Sequence, residues 1–250
     1  MPLFYYIILF LTGIFIGFIN TLAGGGSTIL YPILIFMGMP IHTAIGTSRI
    51  AFISQGLFSA AGFKSKGVFI FPFNLYVALS AMLGGIIGAW ISLHTAAQHL
   101  TRFLVFMMII IAILMIWQSR IHKKTKQIKI QGKYLYISFL TYFLIGIYGG
   151  FLHAGIGFMI ILAATLVNQM NLTQSNSIKA LIILTVTIPA LYMFAIKDQV
   201  NWNAGFVIAA GTAIGSWLTS RWSVHINEKY IRFLMVIIII ALAIKLWLTH

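Results

Sequence analysis

Long apolar runs and short polar interruptions alternate along the whole 250-residue chain. Many of the runs have roughly 20 residues, the length at which an α-helix crosses a hydrocarbon layer ~30 Å thick. Strands of a membrane barrel would alternate polar and apolar residues, and a run such as Leu104 to Trp117 does not. We therefore predict an all-α, polytopic membrane protein. The predicted spans are residues 3–22, 41–63, 70–93, 100–118, 134–152, 173–196, 203–220 and 230–248.

Two shorter apolar pieces, residues 28–39 and 156–168, each follow a glycine-rich interruption. The interruptions read AGGG at 23–26 and HAGIG at 153–157. Each glycine in a helix interior costs about 1 kcal/mol relative to alanine, so consecutive glycines predict a helix break. The pattern predicts about eight transmembrane helices and two helix-break or re-entrant pieces, and leaves open whether those pieces cross the membrane.

The two parts of the chain resemble each other. An offset of 130 residues places Arg49 on Lys179, and an offset of 127 places GGIIGAW (84–90) on GTAIGSW (211–217). Glycines four residues apart on one helix face predict close helix packing. We predict two homologous halves joined by a basic linker. The predicted units are a first repeat at 1–118, a linker at 119–133 and a second repeat at 134–250.

Charge suggests how the halves are oriented. The chain has 16 Lys and Arg against 2 acidic residues, a formal net charge of +14. Nucleic-acid binding does not follow, because many of the cations lie between apolar runs, where they set orientation and contact anionic lipid headgroups. If each break reverses the chain, the basic sites near 64–66, 120–133 and 221–232 all face the cytoplasm. The charges therefore favour inverted repeats in a bacterial inner membrane, with residues 3–22 as a retained helix.

The first candidate site is the polar, glycine-rich segment NTLAGGGSTILYP at 20–32. Backbone released at membrane depth is tolerated where protein or a watery cavity covers it, and a helix N-terminus attracts anions. We expect Ser27 and Thr28 to cap the helix that follows. A kink that only allows close packing is the alternative. The candidate residues here are Asn20, Thr21, Gly24, Gly25, Gly26 and Ser27.

The second candidate site is the corresponding break, where His153 accompanies Gly155 and Gly157. Ionisable groups inside a membrane are costly and usually functional, and a histidine can carry a proton near neutral pH. The alternative is a histidine that only donates a structural hydrogen bond.

The third candidate is a pair of helix starts that carry a cation. The segments PIHTAIGTSR (40–49), with Thr47 and Ser48, and LTQSNSIK (172–179) each begin a predicted span with Thr and Ser residues. Each then has a cation one or two turns further in, Arg49 in the first half and Lys179 in the second. Arginine can grip an oxyanion through two parallel hydrogen bonds. The alternative is snorkelling of either side chain to the headgroups, which is more credible for Lys179 than for Arg49.

The residue types that the sequence lacks limit the substrates and reactions that the protein can support. The only acidic residues, Asp198 and Glu228, fall at the ends of predicted spans, and the chain has no cysteine. Carboxylate sites for sodium and carboxylate proton relays within the bundle are therefore excluded. No nucleotide or metal motif is present, so we expect no cofactor, no metal and no enzymatic activity. The remaining cationic, hydroxyl, amide and helix-dipole groups suit anions.

Several segments together resemble the TauE/SafE family of sulfite exporters over nearly the whole chain. They are GFINTLAGGGSTILYPIL, PIHTAIGTS, GGIIGAW and FLHAGIGF. The resemblance implies a membrane permease for sulfite, sulfonates or related sulfur oxyanions. It also implies functional roles for Gly24, Gly25, Gly26, Gly155, Gly157, Thr47 and Ser48. In the second half SNS (175–177) stands where the first half has GTS.

Three hypotheses follow from the sequence. The first is a secondary anion permease with alternating access around the two breaks, with Arg49 holding the anion and His153 able to carry protons. The second is a passive anion channel. The third, far weaker, is an intramembrane hydrolase that uses Ser27 with His153. The expected partners are a small anionic substrate and a bilayer with anionic headgroups. We expect no nucleic-acid partner, and the sequence leaves homo-oligomerisation open.

Overall fold

The computed structural model describes residues 3–64, 68, 70–118, 128–222 and 228–249. For residues 23, 222, 228–232 and 249 it describes only the backbone. Within these ranges the chain is helical and has no strand. The helices are α1 (Leu3–Ala23), α2 (Ser27–Phe36), α3 (Ile41–Lys64), α4 (Phe73–His94), α5 (Ala97–Gln118), α6 (Lys133–Phe151), α7 (Ile156–Leu166), α8 (Leu172–Ala195), α9 (Trp202–Trp222) and α10 (Glu228–Thr249).

The eight long helices lie where the apolar runs predict them, with ends shifted by a turn or less, and α2 and α7 are the two short pieces. Among the described residues, five helices are long and apolar enough to cross a membrane, namely α1, α4, α5, α6 and α8. The chain is a multi-pass membrane protein. Eight crossings remain a prediction.

Polarity is inverted relative to a water-soluble protein. Large apolar side chains such as Phe106, Leu140 and Phe206 are mostly exposed, whereas Arg49 and Lys179 are buried. An apolar surface of this kind is stable against lipid tails and unstable in water.

The glycine motifs predicted to pack helices do so. Gly84 and Gly88 of α4 lie against α6, where a Cβ on Gly88 would come 1.9 Å from the carbonyl oxygen of Ile147. Gly211 and Gly215 of α9 lie against α1, where a Cβ on Gly211 would come 2.3 Å from the carbonyl oxygen of Phe10. Only glycine allows backbones to approach so closely, which confirms the packing interpretation.

Helices α3 and α8, which carry Arg49 and Lys179, run antiparallel. The start of α3 packs on the end of α8, since a Cβ on Gly46 would lie 3.1 Å from the Phe194 ring. Further along, Gly56 of α3 packs on Ala180 and Leu184 near the middle of α8. Helices α1 and α9 run parallel to each other, as do α4 and α6.

The end of the predicted linker is tied to the end of α7. The backbone N–H of Lys129 donates to the Asn168 carbonyl over 2.9 Å, and the Asn168 amide donates to the Lys129 carbonyl over 3.0 Å. The Lys129 ammonium donates to the Tyr134 hydroxyl over 3.0 Å. Residues 119–127, with most of the linker's cations, lie outside the described residues. The sidedness of the chain therefore stays a prediction.

Candidate functional site

The two glycine-rich breaks cross each other in the interior. The carbonyl of Gly24 accepts a hydrogen bond from the backbone N–H of Phe158 over 3.0 Å. Gly24 has a left-handed φ of 78°, and its Cα lies against the backbone of Gly157. The segments that interrupt α1–α2 and α6–α7 therefore form one buried junction inside the helical bundle.

Ser27 joins the two breaks by a second contact. Its hydroxyl donates to the backbone carbonyl of His153 over 3.1 Å and accepts from the backbone N–H of Gly155 over 2.8 Å. The expectation that Ser27 and Thr28 cap α2 is wrong, because the N-cap is Gly26 and no side chain caps it. The Ser27 hydroxyl instead satisfies the backbone of the opposite break.

Arg49 is fully buried and holds the end of α6. Its Nη1 donates to the carbonyl of Gly149 over 2.7 Å, and its Nη2 donates to the carbonyl of Gly150 over 2.6 Å. The last carbonyls of a helix lack intrahelical partners and carry the negative end of the helix dipole. The guanidinium also lies over the Phe194 ring, 5.7 Å from its centroid. Arg49 does not snorkel to the headgroups.

His153 lies beside Arg49 in a left-handed conformation with φ 65°. Its Nδ1 is 3.0 Å from the Nη1 of Arg49 and 3.1 Å from the Gly149 carbonyl. A guanidinium only donates and a carbonyl only accepts, so the first contact requires the ring proton on Nε2 and the second requires it on Nδ1. That Nε2 is buried and has no hydrogen-bond partner among the described residues. The imidazole stacks on Phe52, with 4.4 Å between ring centroids.

Lys179 repeats this arrangement at the other break. Its ammonium donates to the carbonyls of Asn20 and Thr21 over 2.9 and 2.8 Å, and to the side-chain oxygen of Asn176 over 2.7 Å. Asn20 and Thr21 lie in the last turn of α1. Lys179 is 1% exposed, so it does not snorkel either.

The two cations correspond to each other across the chain. An offset of 129 residues places Asn20 on Gly149 and Gly24 on His153. Each cation therefore binds the last turn of the helix that precedes the break in the opposite half. In many transporters the C-terminal ends of broken helices bind a cation. Here the charged groups of Arg49 and Lys179 bind to those helix ends instead.

Buried amides and hydroxyls surround the end of α1. The Asn20 amide donates to the Gln55 side chain over 2.8 Å, and the Thr21 and Ser59 hydroxyls are 3.2 Å apart. Gln55 and Ser59 are not among the site residues predicted from the sequence. A lone amide in the apolar stretch AFISQGLF of α3 was the available signal.

Thr47 and Ser48 are buried but bind elsewhere. The Thr47 hydroxyl accepts from the backbone N–H of Asn201 over 2.9 Å, which ties α3 to the start of α9. The Ser48 hydroxyl donates to the Ile45 carbonyl of its own helix over 2.7 Å. Neither hydroxyl contacts the partners of Arg49 or Lys179 in the described hydrogen bonds.

Every predicted site residue is buried, and the structure brings most of them into one region. The predicted residues are Asn20, Thr21, Gly24, Gly25, Gly26, Ser27, Thr47, Ser48, Arg49, His153, Gly155, Gly157 and Lys179. A serine–histidine dyad does not form, because Ser27 binds the His153 backbone and the imidazole faces Arg49. In the described ranges no three His, Cys, Asp or Glu residues come together as metal ligands do.

An open depression of about 360 Å³ lies where α2 ends and α3 begins. Ile35, Ile41 and the start of α5, with Thr101 and Arg102, line it. Ile41 is two helical turns from Arg49, about 12 Å along α3. The depression therefore lies on the two helices that lead to the junction.

Comparisons with known proteins agree with this architecture. The family model described as sulfite exporter TauE/SafE matches residues 9–246. A "Probable membrane transporter protein" of Haemophilus influenzae is 24% identical over 96% of this chain and 93% of its own length. The "Probable membrane transporter protein YfcA" of Escherichia coli K12 is 25% identical, over 96% of this chain and 88% of its own. The "Probable membrane transporter protein YdhB" of Bacillus subtilis is 24% identical, over 87% of this chain and 88% of its own length. No solved structure matches the chain.

Proposed function

The chain belongs to the TauE/SafE family of membrane transporters, and on that premise we propose that it is a secondary transporter for a small anion. The substrate we infer is sulfite, an organosulfonate or a related sulfur oxyanion. Transport proceeds by alternating access around the junction of the two broken helices.

One observation carries the proposal: two cations, Arg49 and Lys179, are buried at the junction of a chain that has only two acidic residues. Asp198 is exposed in the turn after α8, and Glu228 is the first residue of α10. A charge at the bilayer centre costs about 2.5–3.5 kcal/mol on insertion scales. The carbonyls at the helix ends offset only part of that cost, because the C-terminal end of a helix carries about half a negative charge whereas each side chain carries a full positive charge. A bound anion would complete the neutralisation.

The substrate class follows from the family and from arginine chemistry. The family model is described as a sulfite exporter, whereas the named relatives are described only as transporters. A guanidinium binds oxyanions through charge-assisted hydrogen bonds, so Arg49 favours sulfite or a sulfonate over a halide. Cationic substrates are disfavoured, because the junction offers them no acidic side chain.

Inverted repeats at 1–118 and 134–250 explain how such a site would be exposed alternately. Corresponding helices α3 and α8 run antiparallel, as halves related by an axis in the membrane plane require. Each half supplies one cation to the opposite break. Rocking of one half against the other would then open the junction first to one side of the membrane and later to the other.

Purified protein in liposomes tests the proposal. We expect saturable counterflow of labelled sulfite, and a competition panel of sulfate, thiosulfate, taurine and sulfoacetate then ranks the substrates. Arg49→Met should abolish counterflow, whereas Arg221→Met, which alters an exposed arginine at the end of α9, should not. Normal transport by Arg49→Met in correctly folded protein would contradict the proposal. Unsaturable flux with single-channel currents would indicate the passive channel instead.

A further inference from the structure

Three buried polar atoms at the junction have no hydrogen-bond partner in the part of the chain that the structure describes. They are the Tyr31 hydroxyl, the Nε of Arg49 and the Nε2 of His153. All three side chains are 0% exposed. Buried polar groups nearly always find partners, so unpaired ones call for an explanation.

The three residues surround one side chain, Phe52. The His153 ring stacks on Phe52 with an interplanar angle of 12°, and the Tyr31 ring meets it edge-on with 6.3 Å between centroids. Arg49 lies one helical turn before Phe52 on α3 and contacts His153 over 3.0 Å. Residues from α2, α3 and the second break thus form one cluster of three side chains, each of which has an unpaired polar atom.

All three unpaired groups can donate a hydrogen bond. The Nε of a guanidinium only donates, and the Nε2 of His153 donates in the tautomer in which Nδ1 accepts from Arg49. The Tyr31 hydroxyl can donate as well. Three donors and one formal positive charge, with no acidic group in the cluster, match an anion that has several acceptor oxygens.

We propose that Tyr31 completes the anion site: its hydroxyl, the Nε of Arg49 and the Nε2 of His153 donate to the oxygens of one three-oxygen sulfur group. Sulfite and sulfonates both present such a group. This inference rests on the proposed function and names a residue and a set of donors for it. The Nη groups of Arg49 meanwhile keep their bonds to the last turn of α6, so a single guanidinium links the ligand to the broken helix.

Along α2, this cluster lies a short distance from the open depression. Tyr31 lies one turn from Ile35, roughly 6 Å along the helix, and Ile35 lines the open depression at the end of α2.

Tyr31→Phe tests the inference, since it removes only the hydroxyl and keeps the ring against Phe52. Because the hydroxyl has no hydrogen-bond partner among the described residues, the melting temperature should stay the same or rise. The KM for sulfite counterflow should increase roughly ten- to a hundredfold, as expected for the loss of one hydrogen bond to a charged ligand.

Tyr142→Phe is the matched control. Tyr142 is also fully buried, but its hydroxyl donates to the side chain of Asn168 over 3.1 Å. This variant should melt at a lower temperature and keep the wild-type KM. The inference is overturned if Tyr31→Phe keeps the wild-type KM while Arg49→Met is inactive, or if Tyr31→Phe loses as much stability as the control. A wild-type protein that transports no sulfur oxyanion would overturn the proposed function, and the inference with it.

Discussion

Gly24 and Gly157 meet backbone to backbone where the two broken helices cross. A Cβ on Gly24 would come 2.5 Å from the carbonyl carbon of Gly157, and the left-handed φ of 78° at Gly24 already disfavours any other residue. Gly24 is therefore required both for its conformation and for the close approach. The junction that buries the two cations depends on this contact.

The conformational and steric roles of Gly24 can be separated with a second glycine. Gly38 has a similar left-handed φ of 89°, but a Cβ there would meet nothing within 4 Å. Gly38→Ala should cost about 1–2 kcal/mol of stability through backbone strain alone. Gly24→Ala should cost clearly more, because one of the breaks must also move. Thermal unfolding in detergent measures both, and equal losses would show that the crossing is not tight.

Lys179 should stabilise the fold by capping the end of α1. Lys179→Met leaves the Asn20 and Thr21 carbonyls without this donor, and we expect a loss of about 1–3 kcal/mol in the free energy of unfolding. Lys179→Arg should restore much of the loss, since an arginine holds the other break. Lys133→Met, at an exposed lysine, should change stability by less than about 0.5 kcal/mol. A Lys179→Met variant as stable as this control would contradict the capping role.

Ser27 should act as a bridge and not as a nucleophile. Ser27→Ala leaves the His153 carbonyl and the Gly155 N–H without their hydroxyl partner, and should lower stability by about 1–3 kcal/mol. Ser216→Ala, at a buried serine bonded only within α9 in the described contacts, should cost less. An activated phosphonate should leave Ser27 unlabelled. Stoichiometric labelling would revive the hydrolase hypothesis.

His153 should make transport depend on pH. A proton on Nδ1 would set an N–H donor and a second positive charge against the Nη1 of Arg49, so protonation should break that contact. His153→Asn removes the titrating ring with a residue that tolerates left-handed φ. We expect the counterflow rate of a sulfonate, whose sulfonate group stays ionised near neutral pH, to vary with pH in the wild type and to be flat in His153→Asn. A variant with the wild-type pH profile would show that His153 does not carry the proton.

Much of the fold could be predicted because the signals are local. The lengths of the apolar runs place the helices, and the glycines of AGGG and HAGIG place the breaks. The start of α8 is equally local, since Asn171 and Gln174 form a reciprocal capping box. The role of Ser27 was not predictable in this way, because its partner Gly155 is 128 residues further along the chain.

By itself the sequence determined a helical, multi-pass membrane protein with two interruptions and two cations in apolar surroundings. Those features follow from the bilayer's thickness, from the backbone cost of glycine and from the scarcity of acidic residues. Only the tertiary structure decided what the cations bind. Arg49 and Lys179 reach carbonyls 100 to 159 residues away in the chain, and that pairing depends on the antiparallel packing of α3 on α8. Hydropathy reports which residues leave water, whereas hydrogen-bond partners at such separations are set by how the helices pack.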